Sequence, residues 1–299
     1  MTSMAPLKSD ASTTLGLIAG GGWFPFMVVR GAKRAGCRVV VLGIRGLADP
    51  ALRGEADVFK WTGLARVGTW VRMLTRLRVR RCILAGSVKK TAMYGRFRIL
   101  RTLPDWTTLR LWFFKVPDKR TDTLLGAIGD HMASKGITLE NSVQYCRENL
   151  APEGILTDLQ PNAAQITDME FGWPIAKEMG RLDIGQSIAV KEQEVIAVEA
   201  IEGTDRMIKR AGRLCAHGGW THLKVAKPKQ DMRFDVPAIG PATLENLHRN
   251  GAGMLVVEAG KTLIIERERM LAAARRYGIV VIGRREEDMP GGPSRAEPS

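Results

Sequence analysis

Long apolar runs are missing from this 299-residue chain: no stretch approaches the roughly 18 consecutive apolar residues that a membrane-spanning helix requires. The opening MTSMAPLKSDASTT also lacks the apolar core of a secretory signal, so the cytoplasm is the expected location. Cysteine is scarce. Cys37, Cys82, Cys146 and Cys215 stand alone with no CxxC pair, which excludes a disulfide framework and a thiolate zinc site and predicts reduced, mostly buried thiols. Four histidines form no HExxH or other ligand spacing, and His217 and His222 flank Gly218-Gly219-Trp220 in what reads as a surface loop. A GxSxG elbow and a GxxxxGK[ST] loop are both absent, which removes serine hydrolases of the elbow type and P-loop NTPases. The chain carries no internal repeat and no low-complexity tract.

Negative charge is the other shortage. Forty-five Lys and Arg oppose 31 Asp and Glu, for a net charge of +14 and a pI near 10.0. Three partner classes fit this imbalance: nucleic acid, an anionic membrane surface, or a polyanionic small substrate. Much of the excess lies between Arg66 and Arg120, where Trp106, Leu109, Leu111, Trp112, Phe113 and Phe114 interleave with Arg110 and Lys115. That composition suits an amphipathic segment lying against lipid headgroups, and equally a helix whose aromatics pack in a core or a dimer interface. A basic nucleic-acid-binding protein without catalytic activity is the competing class, but no RRM, KH, zinc-finger or helix-turn-helix string accompanies the charge.

The length favours two domains, each with its own core. In the first half, Leu15–Ala19 runs into Gly20-Gly21-Gly22. A helix follows over Phe24–Ala35, then a strand over Arg38–Ile44, a helix over Val67–Leu77 and a strand over Arg81–Ala85 closing on Gly86. Strand, glycine turn, helix and strand, with strands apolar on both faces, predict a Rossmann-like parallel sheet covered by helices. Thr123–Lys135 reads as helix, Ile137–Leu139 as strand and Asn141–Leu150 as helix. A boundary near Asn149–Thr157 separates a Rossmann-like domain, 15–148, from a mixed α/β (α+β) domain, 149–283. The second domain has predicted helices over Phe171–Arg181, Thr204–Ala216 and Arg267–Tyr277. Its strands are predicted over Ser187–Val190, Val195–Glu199, Leu223–Ala226, Met254–Glu258, Thr262–Ile265 and Ile279–Ile282. Residues 1–14 and 284–299 are expected to be disordered tails.

Site chemistry concentrates in Leu223–Gly240. The apolar strand start Leu223–Ala226 is stopped by Pro228, so Lys227, Lys229, Gln230, Asp231, Arg233 and Asp235 fall on a loop at a strand end. Cations there can hold a phosphate while carboxylates hold a hard cation or orient a water; the alternative is a solvated charged turn. Gly20, Gly21 and Gly22 offer backbone amides at a helix start, and Gly86-Ser87-Val88-Lys89-Lys90 sits at the same predicted sheet edge. The glycines do not form GxGxxG, and no acid closes the second strand to bind a ribose, which argues against a nicotinamide oxidoreductase. Thr204 and Asp205 suit helix capping; Glu199 and Glu202 precede that helix and are harder to explain as caps. Asp183-Ile184-Gly185-Gln186-Ser187 reads as a polar turn.

The strings LGLIAGGGWFP, ILAGSVKK, LDIGQSIAV, VIAVEAIEGTDRMIKRAG, KVAKPKQDMRFDVPAIGPATL, VVEAGKTLIIE and GIVVIG resemble, in order from about Leu15 to Gly283, one enzyme family. It is the UDP-2,3-diacylglucosamine pyrophosphatases of lipid A biosynthesis, of the type unrelated to metallophosphoesterases. The resemblance implies magnesium-dependent hydrolysis of UDP-2,3-diacylglucosamine to UMP and 2,3-diacylglucosamine 1-phosphate (lipid X), with water directed at the sugar-side phosphorus. It implies a C-terminal catalytic domain, in which the QDxRFD match makes Asp231 the first catalytic choice and Asp235 the second. Lys227 and Arg233 would hold phosphate oxygens, and Asp231, Asp235 and Glu202 are the expected Mg2+ ligands. Gly20, Gly21, Gly22, Ser87, Gln186, Thr204 and Gln230 are the expected substrate-binding residues. Peripheral association with an anionic inner-membrane surface follows from the substrate and the basic charge. A homodimer is left open, and nucleic acid is not an expected partner.

Overall fold

The computed structural model describes residues 13–88, 103–115, 121–227, 231–233 and 236–285. It divides into two compact units. The first holds the chain up to Arg147 together with Asp231–Arg233, and the second holds the rest. The first has the expected parallel α/β architecture and the second the expected mixed one.

The first unit is built on β1 (Thr14–Ala19), β2 (Arg38–Ile44), β3 (Val58–Thr62), β4 (Arg81–Ala85) and β5 (Thr138–Leu139), all parallel in the order β3-β2-β1-β4-β5. Every residue of the central β1 is buried, because helices cover both faces. On one face α1 (Phe24–Arg34) and α2 (Leu52–Glu55) pack against Leu15, Leu17, Val39 and Val41. On the other, α3 (Val67–Arg76), α4 (Trp106–Phe114) and α5 (Thr121–Ala133) meet Ile18, Val40 and Leu42. Two glycines make this packing close enough. A Cβ at Gly16 would lie 2.8 Å from Val79, and one at Gly31 would lie 1.8 Å from the Tyr145 carbonyl oxygen.

Strand β3 and helix α2 carry too weak a pattern to be anticipated: VFKWT is an edge strand, only one of its five residues is buried, and LRGE is a single turn. The helix expected over Asn141–Leu150 is instead a series of turns with a 3-10 turn at Arg147–Asn149. Side chains divert the backbone there. The Asn141 carboxamide oxygen accepts from the Val143 amide at 3.0 Å, and both the Ser142 amide and hydroxyl donate to the Met232 carbonyl.

The second unit contains β6 (Gly154–Ile155), β7 (Ser187–Lys191), β8 (Glu194–Val198), β9 (Trp220–Lys224), β11 (Ala252–Glu258) and β13 (Val280–Arg284) in the order β6-β13-β11-β9-β7-β8. A two-stranded piece, β10 (Ala238–Ile239) with β12 (Leu263–Ile264), completes it. β9, β11 and β13 run parallel, while β7 runs antiparallel to β8 and β9. α6 (Ala163–Arg181) covers one face through Trp173, Ala176 and Met179. It begins well before the expected Phe171, because Asn162 and Gln165 form a reciprocal capping box. Its Gly172 lets it lie on the sheet, where a Cβ would meet Val190 and Leu223 at 2.8 and 2.9 Å. α7 (Thr204–Leu214), α8 (Pro241–Arg249) and α9 (Arg267–Tyr277) cover the other face around Met207, Leu244, Leu247 and Met270. Thr14 and Arg284 belong to strands rather than tails; residues 1–12 and 286–299 lie outside the described residues.

The four cysteines are free thiols, with Cys82 and Cys146 buried. His222 is not the expected surface residue. β9 starts at Trp220, three residues before the predicted strand, because Thr221 and His222 take register positions between β7 and β11 despite their polarity. The ring is fully buried and neither nitrogen has a hydrogen-bond partner. Burial, reinforced by Lys224, pushes its pKa down to about 3. The folded state therefore refuses a proton that the unfolded chain accepts below about pH 6.5. Stability should fall as pH drops from about 6.5 toward 3, by up to about 1.4 kcal/mol per pH unit from this group. Denaturant titrations at pH 7 and pH 4.5 should show that His222→Leu loses less stability on acidification than the wild type.

Candidate functional site

In the second unit, the exits of β9 and β11 share one sheet edge, and a buried carboxylate organises it. Glu258 closes β11 with 1% of its surface exposed. It accepts from Lys177 Nζ of α6 at 3.0 and 3.1 Å, from Lys261 Nζ at 2.7 Å and from the Ala226 amide at 2.8 Å. One buried carboxylate thus gathers two ammonium groups at the edge where the chain leaves β9. Lys224, also buried, donates from Nζ to the Ala238 carbonyl at 2.9 Å. None of Glu258, Lys177 or Lys261 figured among the expected site residues. The signal lay in VVEAGKT, an apolar strand ending in an acid that requires partners once buried.

Beside this cluster lies the turn Asp183–Gln186. Asp183, in a left-handed conformation with φ 58°, pairs with Lys227. Lys227, expected to hold phosphate, thus has a carboxylate partner already. Gly185 presses on the exit of β8, where a Cβ would lie 2.1 Å from the Glu199 carbonyl oxygen. The Glu199 amide donates to the Ser187 carbonyl at 2.8 Å, so the turn and the β8 exit are joined. Three buried oxygens in this joint have no hydrogen-bond partner: Gln186 Oε1, Ser187 Oγ and Glu199 Oε2. Each such group costs about 1–3 kcal/mol unless a water or another partner meets it.

Thr204 does not cap α7. Gly203 holds the N-cap position with φ 85°, and the Thr204 hydroxyl donates to Glu199 Oε1 at 2.9 Å. Asp205 in the first turn accepts from Asn246 at 3.2 Å. Glu202 is bound by Arg210, which also donates to the Val198 carbonyl at 2.7 Å.

The first unit carries the glycine turn and Asp231. The amides of Gly20 and Gly21 donate to the carbonyls of Ala85 and Ser87 at 2.8 and 3.0 Å, and the Ser87 amide returns a bond to the Gly21 carbonyl. A Cβ at Gly20 would lie 3.0 Å from the Gly86 and Ser87 backbone. The first two glycines thus serve the close approach of two strand exits, and their amides are consumed by it. Asp231 belongs with this unit. Its Oδ1 accepts from the Arg233 amide and Nε at 3.0 Å, and its Oδ2 accepts from the same guanidinium at 2.6 Å. These side-chain hydrogen bonds outweigh partial burial and hold the carboxyl below its ordinary range, so it is ionised at neutral pH. Gln230 and Asp235 lie outside the described residues.

Among the described residues, no three His, Cys, Asp or Glu side chains assemble as a metal site. Asp231 and Glu202 belong to different units and each faces an arginine. Each of these two carboxylates is thus already paired with a guanidinium, which a hard cation would have to displace.

A doubly wound parallel unit, joined in one chain to a mixed-sheet unit with lysines at its strand exits, defines a two-domain α/β protein. The chain belongs to the LpxI family: residues 14–149 match the LpxI N-terminal domain and residues 152–282 the LpxI C-terminal domain. It is 33% identical over 290 residues to the UDP-2,3-diacylglucosamine pyrophosphatase LpxI of Caulobacter vibrioides, an alignment covering 92% of this chain and 99% of that protein.

Truncating Glu258 would remove the carboxylate that holds Lys177, whose side chain is only 11% exposed. Glu258→Ala should destabilise the fold by about 3–5 kcal/mol, measured by urea unfolding.

Proposed function

We propose that this chain hydrolyses the pyrophosphate bond of UDP-2,3-diacylglucosamine, releasing UMP and 2,3-diacylglucosamine 1-phosphate. The observation that carries the reading is the match over both units to a family whose Caulobacter member is named for this activity. The strand-edge chemistry of the second unit agrees with it: Lys177, Lys261 and Lys227 supply positive charge where a pyrophosphate needs neutralising. Water adds to one phosphorus, the bridging P–O bond breaks, and the electron pair leaves with the departing phosphate oxygen.

Asp231 is the carboxylate assigned to the water. Ionised and clamped by Arg233, it can accept a hydrogen bond from a nucleophilic water once the guanidinium turns to a phosphate oxygen. Lys227 and Arg233 take phosphate roles by exchanging their present carboxylate partners for substrate. Gln186, Ser187, Glu199 and Thr204 form the polar joint that meets substrate hydroxyl or amide groups, the orphaned oxygens at Gln186 and Glu199 acting as acceptors. The magnesium requirement rests on the family resemblance alone, and no step is routed through the ion.

The same proposal includes docking on an anionic membrane surface. Among the described residues no helix is long and apolar enough to cross a bilayer, but α4 exposes Trp106 (80%), Phe113 (71%) and Phe114 (81%), with Arg110 and Lys115 exposed beside them. This helix is firmly mounted: the Asp105 carboxylate accepts from Thr108 at its start and from the Thr69 amide and hydroxyl in the first turn of α3. An aromatic, cationic face held rigidly outward suits the headgroup layer.

With UDP-2,3-diacylglucosamine as substrate, the purified protein should form UMP and lipid X, and Asp231→Ala should lose at least about 100-fold in turnover, the scale of a lost general base. Near-normal turnover in the variant would remove Asp231 from the chemistry. Treatment with EDTA followed by magnesium add-back reads the metal requirement in the same assay. Flotation with anionic liposomes at physiological salt should carry the wild type upward. Replacing Trp106, Phe113 and Phe114 together by alanine should leave the protein in the dense fraction, with unchanged circular dichroism.

A further inference from the structure

Beside the edge strand β8, the second unit exposes aliphatic side chains that belong to neither of its apolar cores. Two turns meet there, residues 183–186 before β7 and residues 200–203 after β8, joined where Gly185 presses on the Glu199 carbonyl. Leu182 and Ile184 are exposed at the first turn, and Ile201 on the second is 88% exposed. From the second turn the chain enters α7, where Arg206, Lys209 and Arg213 are all exposed. We propose that this surface, aliphatic at the turns and cationic along α7, rests on an anionic lipid bilayer. It goes beyond the docking assigned to α4, because it stands on the second unit alone.

The aliphatic tips are held outward by fixed backbone. The Gly203 amide closes the second turn on the Ala200 carbonyl at 3.2 Å. Arg210 reaches back from α7 to Glu202 and to the Val198 carbonyl, and the Thr204 hydroxyl holds Glu199, so the segment carrying Ile201 is tied at both ends. At the first turn the Ile184 amide donates to the Met179 carbonyl at 3.2 Å, and Asp183 pairs with Lys227. Side chains mounted this way enter a headgroup layer with little ordering cost.

Helix α7 supplies the charge in one stripe. Arg206, Lys209 and Arg213 follow at helical spacing and share one face, opposite Met207, Ile208 and Ala211, which pack in the core. Among the described residues none of the three forms an ion pair, while the acid on the same helix, Asp205, is held by Asn246. Each Lys or Arg near an anionic leaflet strengthens partitioning roughly fivefold at physiological salt. A nucleic acid would match these cations too, but its phosphate backbone offers no apolar layer to Leu182, Ile184 and Ile201. Anionic headgroups above acyl chains offer both.

Vesicles of phosphatidylcholine and phosphatidylglycerol are the probe, at about 0.05 M ionic strength, where surface charges still act over more than about 10 Å. The parent protein carries the three α4 alanine substitutions, so that only other contacts are read. Adding Arg206→Gln, Lys209→Gln and Arg213→Gln together should weaken its partitioning at least about tenfold, and adding Ile201→Ser at least about fivefold. The same charge removed from exposed positions of the first unit, by Lys60→Gln, Arg80→Gln and Lys135→Gln, should have a much smaller effect. Equal losses in the two charge variants would overturn the proposal, as would an Ile201→Ser variant that binds like its parent. So would loss of oligonucleotide binding with vesicle binding retained, which would make α7 a nucleic-acid surface. All substituted side chains are exposed, and circular dichroism checks each fold. Vesicle binding through α7 in a protein that cleaves no UDP-2,3-diacylglucosamine would sink the pyrophosphatase reading and leave this surface standing; cleavage with vesicle binding indifferent to α7 would do the reverse.

Discussion

The second unit depends on keeping one negative charge out of water. Glu258 ends a central strand with almost no exposure, a position in which an ionised carboxylate is tolerated only with close partners. Its partners come from three places: Lys177 on the covering helix α6, Lys261 in the turn that follows, and the Ala226 amide on the neighbouring strand exit. Because each must be in position at once, the carboxylate fixes α6 against the sheet and fixes the chain at Ala226 as it leaves β9. The apolar packing of Trp173, Leu223 and Met254 supplies the driving force for burial. The ion cluster supplies the register of the elements that carry the polar groups.

The first unit solves a different problem, how to bring two strand exits and a helix start into contact, and it uses small residues for it. Gly20 and Gly21 pair with the Gly86-Ser87 exit of β4, and Gly43 admits the Phe59 and Trp61 rings over the sheet. The first arrangement closes the edge at β1 and β4; the second opens a lined cavity at β1, β2 and β3. The glycine turn therefore works through close approach, and the cavity next to it is lined in part by Trp23, Phe26 and Trp61.

Much of the fold was legible because the strands are apolar on both faces and the turns between them carry glycine. β1, β2, β4, α1, α3, α7 and α9 fall within a residue or two of where their patterns place them. Misplaced elements have local causes. Polar Thr221 and His222 hide the start of β9, and the capping box at Asn162 starts α6 earlier than its apolar stripe. Side-chain bonds at Asn141 and Ser142 replace an expected helix by turns. Among the site candidates, Lys227, Asp231 and Arg233 were readable from charge density after a strand, whereas Glu258, Lys177 and Lys261 were not. The pairings were not readable either, because Lys227 with Asp183, Asp231 with Arg233 and Thr204 with Glu199 depend on which loops meet and in what orientation.

The sequence by itself determined the α/β architecture of both halves and the family, since periodicity, glycine placement and motif strings are properties of neighbouring residues. Only the tertiary structure decided that Glu258 is a buried anchor, that His222 is a neutral core residue, that Asp231–Arg233 belong with the first unit, and that Trp23, Asp49 and Trp61 line one cavity. Each of these depends on burial and on contacts between residues far apart in the chain. Desolvation and pairing energies arise only once the sheets have brought those residues together.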